Sequence, residues 1–139
     1  MSQSIPQSTQ QPIAILSASR TPMGGMLGSL SVATATQLGA SAIADALCKS
    51  GLDHKQIDEV LMGCVLSAGV GQAPARQAAL AAGLDRATAC TTINKVCGSA
   101  MKAVMIACNA LRAGQSSAIV AGGMESMSRA PFVMPKAET

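Results

Sequence analysis

Cys97 stands where a strand pattern has just ended and a helix pattern begins, in the run Thr91-Thr-Ile-Asn-Lys-Val-Cys-Gly-Ser-Ala-Met-Lys-Ala-Val104. The first N–H groups of a helix have no partner within it and point at whatever lies ahead of them. The helix dipole adds partial positive charge at the same place. Both favour a thiolate over a thiol. Gly98 lets a ligand or another backbone approach the sulfur with no side chain in the way, and Ser99 can bond locally in the first turn. A strand-turn-helix that presents a nucleophile recurs in unrelated enzymes. The competing reading is that Cys97 is a small buried residue, the usual role of a free cysteine. The position, followed by Gly-Ser, leaves the two readings about even.

The other chemically capable residues are few. Cysteines at 48, 64, 90, 97 and 108 form no C-x-x-C pair, and His54 is the only histidine. Zinc sites need paired ligands at short spacing, so no metal is expected. An odd number of cysteines speaks against a disulfide framework, so four are expected as core thiols. His54, between Asp53 and Lys55 ahead of a strand, reads as a solvated turn residue. Gly24-Gly25-x-x-Gly28 and Gly69-x-Gly71 lack the spacing of dinucleotide or phosphate loops and read as turns. Met124, Met127 and Met134 suit packing filler better than an acyl pocket.

The elements that must position Cys97 alternate. Pro12 to Ser17 is an apolar run fit for a buried strand, and Thr34 or Thr36 can cap a helix that reaches Ser50 and stops at Gly51. On that helix Leu38, Ile43, Ala46 and Leu47 are expected inward. Asp53 to Gln56 resembles a capping box, ahead of a strand at Val60 to Leu66. Pro74 suits the first turn of a helix ended by Gly83, and Ala89 to Asn94 is a third strand. Met101, Val104, Cys108 and Leu111 recur at three and four residues, which predicts a helix ending at Gly114. Ser117 to Gly122 is a fourth strand. This alternation implies α/β architecture, a mostly parallel sheet covered by helices. The alanine-rich helices suit close packing between sheets.

Composition narrows the function. The 139 residues fit one domain, and the chain holds no Trp or Tyr and a single Phe, so the core is aliphatic with nine Met as filler. Basic residues give a net charge of +3 but are scattered, without the stripe and stacking aromatics of a nucleic-acid surface. No apolar run reaches the roughly 18–20 residues of a membrane span. Residues 1–11 are uncharged and Gln/Ser-rich, read as a disordered tail without a secretion or mitochondrial signal, hence a cytoplasmic protein. Hydrophobic residues make up 49% and charged residues 12%, lean enough that part of the outer surface is expected to be covered by a partner.

Ile93-Asn94-x-x-Cys97-Gly98-Ser99-Ala100-Met101-x-Ala103-Val104, with Leu111 beyond, resembles the acyl-cysteine signature of the thiolase family. Ser19-Arg-Thr-Pro-Met-Gly-Gly25 with Leu30, Gly71-Gln-Ala-Pro-Ala-Arg-Gln77 and Ala121-Gly-Gly-Met-Glu-Ser-Met-Ser128 resemble further family segments, in order. The Asn-Lys-Val-Cys-Gly-Ser form looks most like the short-chain, acetoacetyl-CoA type. Ketoacyl synthases also place a Cys at a helix start, in different surroundings. The resemblance implies a thiolase-like layered fold, with 12–128 an N-terminal domain and 129–139 the start of a truncated loop domain. It implies Cys97 as the nucleophile, and acetyl-CoA or acetoacetyl-CoA as substrates with no resident cofactor. Gln72 to Gln77 would lie at an interface or reach a site across a dimer. Family members add an activating His, a second Cys as base and an oxyanion hole, carried by Gly-His-Pro and Cys-x-Gly motifs of a C-terminal half. Neither motif occurs in this sequence. The chain alone is therefore expected to be inactive, and to need a complementing C-terminal half or a homo-oligomer. An alternative is a non-catalytic interaction module.

Overall fold

In the computed structural model, which describes residues 12–137, a three-stranded parallel sheet carries helices on both faces. In chain order the elements are α1 (Ala35–Ser50), β1 (Glu59–Gly63), α2 (Pro74–Ala81), β2 (Ala89–Ile93), α3 (Ser99–Arg112) and β3 (Ile119–Gly123). Short 3-10 turns occupy His54–Gln56 and Met127–Arg129. The strand order β2-β1-β3 puts the first strand in the middle. The class is the α/β fold expected, while the tail at 1–11 lies outside the described residues.

Local chemistry sets the element ends. Of the two candidate caps, Thr34 starts α1: its hydroxyl accepts from the Gln37 amide and the Gln37 side chain accepts from the Thr34 amide. Gly51, at φ 73°, ends the helix in the left-handed conformation that costs glycine least. Asp53 and Gln56 form the expected reciprocal box around the first 3-10 turn. Pro74 takes the first position of α2, where its missing N–H costs nothing.

Alternation along β1 divides the core. Val60, Met62 and Cys64 face α1 and α2, joined by Ile43, Leu47, Ala75, Ala78 and Ala79. Leu61 faces the other way, against Ala103 and Ala107 of α3. Small residues let these layers approach closely. A Cβ on Gly39 of α1 would stand 3.3 Å from the Ala78 Cβ of α2 and 2.6 Å from the Met124 sulfur. Only β1 is covered on both sides; β2 and β3 are edges with part of their surface open.

One expectation needs correction. Pro12 to Ser17 forms no strand. This segment runs beside α1, with the Ser17 hydroxyl donating to the Ala46 carbonyl and Ser19 bonded to the Asp45 carboxylate, so it pairs with no strand and Ile15 stays exposed. On α3, Ile106 packs against the Leu61 cluster, but Met101 and Val104 do not. Ser99, Ala103 and Ala107 are buried instead, while Met101 is 72% and Met105 52% exposed. The short alanine side chains bring the helix down onto the sheet, and the methionines are left outside.

At the amino edge of the sheet, Asp58 ties β1 to β3. Its carboxylate accepts from the amides of Ser117 (2.6 Å) and Ala118 (3.1 Å). Those backbone bonds hold the Asp58 carboxyl below its usual range, the Ser117 bond first. A carboxyl depressed in the folded state contributes stability above the ordinary carboxylate pKa of about 3.9 and loses it as pH falls through the folded value. Asp58→Asn should therefore lower the urea midpoint at neutral pH, with a gap to the native chain that closes as pH drops below about 3.9. An equal gap at every pH would show that the charge of Asp58 is not what matters.

Candidate active site

All three strands end level. Gly63 of β1 stands opposite Ile93 of β2 and Gly123 of β3. The three segments that leave this carboxyl edge start at Cys64, Asn94 and Met124, so residues far apart in sequence meet there. In open parallel sheets the carboxyl ends of the strands are where ligands bind.

The segment leaving β2 carries Cys97. Its side chain is exposed, and it directly precedes Gly98, the residue that opens α3 with no side-chain cap. Val96 has φ 49°, a left-handed conformation that a β-branched residue rarely adopts. Such a conformation costs roughly 1–3 kcal/mol and persists only where the surroundings enforce it. Here they do. The Asn94 carboxamide oxygen accepts from the Val96 amide at 3.0 Å. The Ser99 hydroxyl accepts from the Lys95 amide at 2.8 Å and donates to the Val96 carbonyl at 2.6 Å. Backbone bonds from Gly98 to the Lys95 carbonyl and from Ser99 to the Val96 carbonyl close the turn.

Two glycines seat the helix on the sheet. A Cβ on Gly63 would lie 2.7 Å from the Ser99 Cβ and 2.8 Å from the Ala100 nitrogen, and one on Gly123 would lie 2.8 Å from the Ala100 Cβ. The first turn of α3 thus rests directly on the ends of β1 and β3.

The segments leaving β1 and β3 are fastened to each other. The Glu125 carboxylate accepts from the amides of Val65 (2.9 Å) and Leu66 (3.0 Å), and the Met124 amide donates to the Gly63 carbonyl. Cys64 is buried below this clamp; burial, then the negative charge of Glu125, pushes its thiol up. Burial likewise raises the Cys90 thiol. Cys64 is a core cysteine as expected and Cys90 and Cys108 are partly buried, but Cys48, expected in the core, is exposed on α1. Sequence reasoning did not single out Glu125 or the Asn94 side chain. An Asn two residues before a strained position is a readable turn signal, whereas no sequence signal marks a carboxylate that meets amides 60 positions away.

Other candidates fall elsewhere. His54 bonds the Gly83 carbonyl through Nδ1 at 2.9 Å, before the amino end of β1 and so at the opposite edge from Cys97. Gln77 is spent on the carbonyls of Val70 and Gln72, shaping the loop ahead of α2. Met124 is core, while Met127 and Met134 are exposed. An open cavity of roughly 530 Å³, lined by Cys64, Ser67, Thr92 and Asn94 among others, adjoins the site but is not lined by Cys97. Cys97 stands outside this cavity and is exposed. Among the described residues, no three His, Cys, Asp or Glu side chains come together in a way that could hold a metal ion.

Residues 13–139 match the family model described as thiolase, N-terminal domain. The chain belongs to the thiolase family. It is 53% identical over 131 residues to "Acetyl-CoA acetyltransferase, mitochondrial" of Homo sapiens, covering 94% of this chain and 31% of that protein. It is 51% identical over 124 residues to "Acetyl-CoA acetyltransferase ERG10, cytosolic" of Gibberella zeae, covering 89% of this chain and 31% of that one. The fold matches the crystal structure of Acat5 thiolase from Ascaris suum in complex with coenzyme A, with a TM-score of 0.87 and 43% identity, over 89% of this chain and 32% of that one. The expected thiolase-like fold is thus met, and this thiolase domain spans about a third of the length of the curated relatives it matches. Those relatives are named for two compartments.

The glycine seat is testable. Gly63→Ala should cost about 1–3 kcal/mol, because the added methyl meets backbone that cannot swing aside. Gly25→Ala, in open space, serves as the control. Chemical denaturation of the two variants side by side checks this, and equal midpoints would refute the seat.

Proposed function

We propose that Cys97 is the acyl-carrying nucleophile of an acyltransferase acting on coenzyme A thioesters, with acetyl-CoA and acetoacetyl-CoA as substrates. The observation that carries the reading is the placement of an exposed cysteine ahead of the uncapped start of α3, over the level ends of three parallel strands. Kinship adds the substrate: relatives at 51–53% identity are named acetyl-CoA acetyltransferases, and the structural relative was crystallised with coenzyme A.

In the first step the Cys97 thiolate attacks the carbonyl carbon of acetyl-CoA. A new C–S bond forms, the C–S bond to coenzyme A breaks, and the coenzyme A thiolate leaves and takes up a proton. In the second step another acetyl-CoA gives up its α proton to a base. Its carbanion attacks the Cys97 thioester, making a C–C bond and releasing the Cys97 thiolate with acetoacetyl-CoA. Thiolysis is the same path reversed. Coenzyme A enters as substrate and product, not as a resident cofactor. By family resemblance the base and the activating His belong to the C-terminal half. His54, held at the opposite sheet edge, takes neither role. These 139 residues hold the acyl carrier, and neither the Gly-His-Pro nor the Cys-x-Gly motif lies among them.

That half has a place to dock. Met101, Val104 and Met105 turn an apolar stripe of α3 outward, opposite its buried alanines. Patches of this kind on small domains mark interaction surfaces. Here the stripe packs against a complementing C-terminal half, and where none is present, against a second copy.

Two measurements test these readings. Incubation with acetyl-CoA should add one acetyl group to the chain, mapped by peptide mass to Cys97 and absent in Cys97→Ala, with no sustained formation of acetoacetyl-CoA. An unmodified Cys97 would favour a non-catalytic interaction module. Light scattering over a concentration series should show association of the isolated chain, and less of it after Met101→Glu with Met105→Glu. A monomer at high concentration would reject the docking stripe.

A further inference from the structure

The turn that presents Cys97 is held against its own backbone preference, and two side chains hold it. Val96 at φ 49° is one of three non-glycine residues at positive φ among those described, and the only one that is β-branched. Left alone, a valine there would relax toward the β region and carry the next residue with it. Both polar groups of the Val96 backbone are engaged. Its N–H donates to Asn94 Oδ1 at 3.0 Å, and its carbonyl accepts from Ser99 Oγ at 2.6 Å and from the Ser99 amide at 3.1 Å. Ser99 Oγ also accepts from the Lys95 amide at 2.8 Å, so one hydroxyl spans the turn from before Val96 to the first residue of α3. Asn94 Nδ2 reaches back to the Val65 carbonyl at 3.5 Å, and the Val65 amide is held by Glu125. The turn is thereby linked to the exits of the other two strands.

We infer that Asn94 and Ser99 are positioning residues for Cys97: they keep Val96 left-handed, and so keep the Cys97 sulfur ahead of the start of α3. This rests on the reading of Cys97 as nucleophile given above. Neither side chain is assigned a contact with substrate. Their effect runs through the turn, and the two are not equivalent in risk. Asn94 is exposed, so its replacement perturbs little packing, whereas Ser99 is buried at the glycine seat.

The test is competitive alkylation of the native chain with iodoacetamide near neutral pH, read by peptide mass mapping. Exposed Cys48 on α1 is the internal reference, and buried Cys64 reports whether the fold stays closed. Asn94→Ala and Ser99→Ala should each lower the rate at Cys97 relative to Cys48 by about fivefold, the scale of a helix-terminus contribution, with Cys64 still protected. Asn94→Ser should restore the rate, because a serine hydroxyl can accept from the amide two residues on. Adding Val96→Gly to Asn94→Ala should also restore it, because glycine adopts the left-handed conformation unaided. A merely structural role would expose Cys64 and would not be reversed by that glycine. If Cys97 outpaces Cys48 in the native chain and still does so in a closed Asn94→Ala, this inference fails and the nucleophile reading stands. Failure of both rescues likewise overturns it, as does an open Asn94→Ala that Val96→Gly does not close. If native Cys97 is no faster than Cys48, the nucleophile reading itself fails and this inference goes with it.

Discussion

The contact on which the chemical end of this molecule depends is the one between the first turn of α3 and the last residues of β1 and β3. Ser99 and Ala100 come so near to Gly63 and Gly123 that a single methyl group at either glycine would collide with them. Close approach of this sort is available only to small residues on both sides, and it brings the start of a helix onto the ends of two strands. Everything ahead of that helix inherits its place. Cys97 is exposed because the chain must leave β2, turn once and drop onto this seat within five residues, from Asn94 to Gly98.

Polar side chains then stiffen what the glycines bring together. Glu125 satisfies two amides at the exit of β1, while Asn94 and Ser99 satisfy the turn at the exit of β2. At the amino edge Asp58 does the corresponding work for β3. A sheet of three short strands has few ladder bonds of its own, and the exposed or part-buried amides at its two edges find no partner in the ladder. Side-chain acceptors at both edges supply the missing partners. The cost of the strained Val96 is borne within that framework, at the residue next to Cys97.

Burial is one-sided outside the central strand. Alanines draw α3 onto the sheet, and its methionines and Val104 are left facing outward. The curated relatives are about three times as long as this chain.

Much of this was legible in the sequence. Alternating apolar runs and capped helical patterns gave the order of elements from α1 to β3, because Thr34, Gly51, Pro74 and Gly114 act through local backbone chemistry that needs no tertiary partner. The position of Cys97 between a strand and a helix was readable for the same reason. Where the outcome depended on what lay across from a residue, the sequence was silent or misleading. Pro12 to Ser17 is as apolar as a strand, yet a strand exists only if another offers it a ladder, and α1 claims this segment first. The three- and four-residue recurrence of Met101, Val104, Cys108 and Leu111 marks a helix correctly but not its inner face, because periodicity cannot tell an inward stripe from an outward one. The roles of Glu125 and of the paired glycines were likewise decided only in three dimensions. The amides and the helix turn they meet come from other parts of the chain, and no local pattern records a distance between strands.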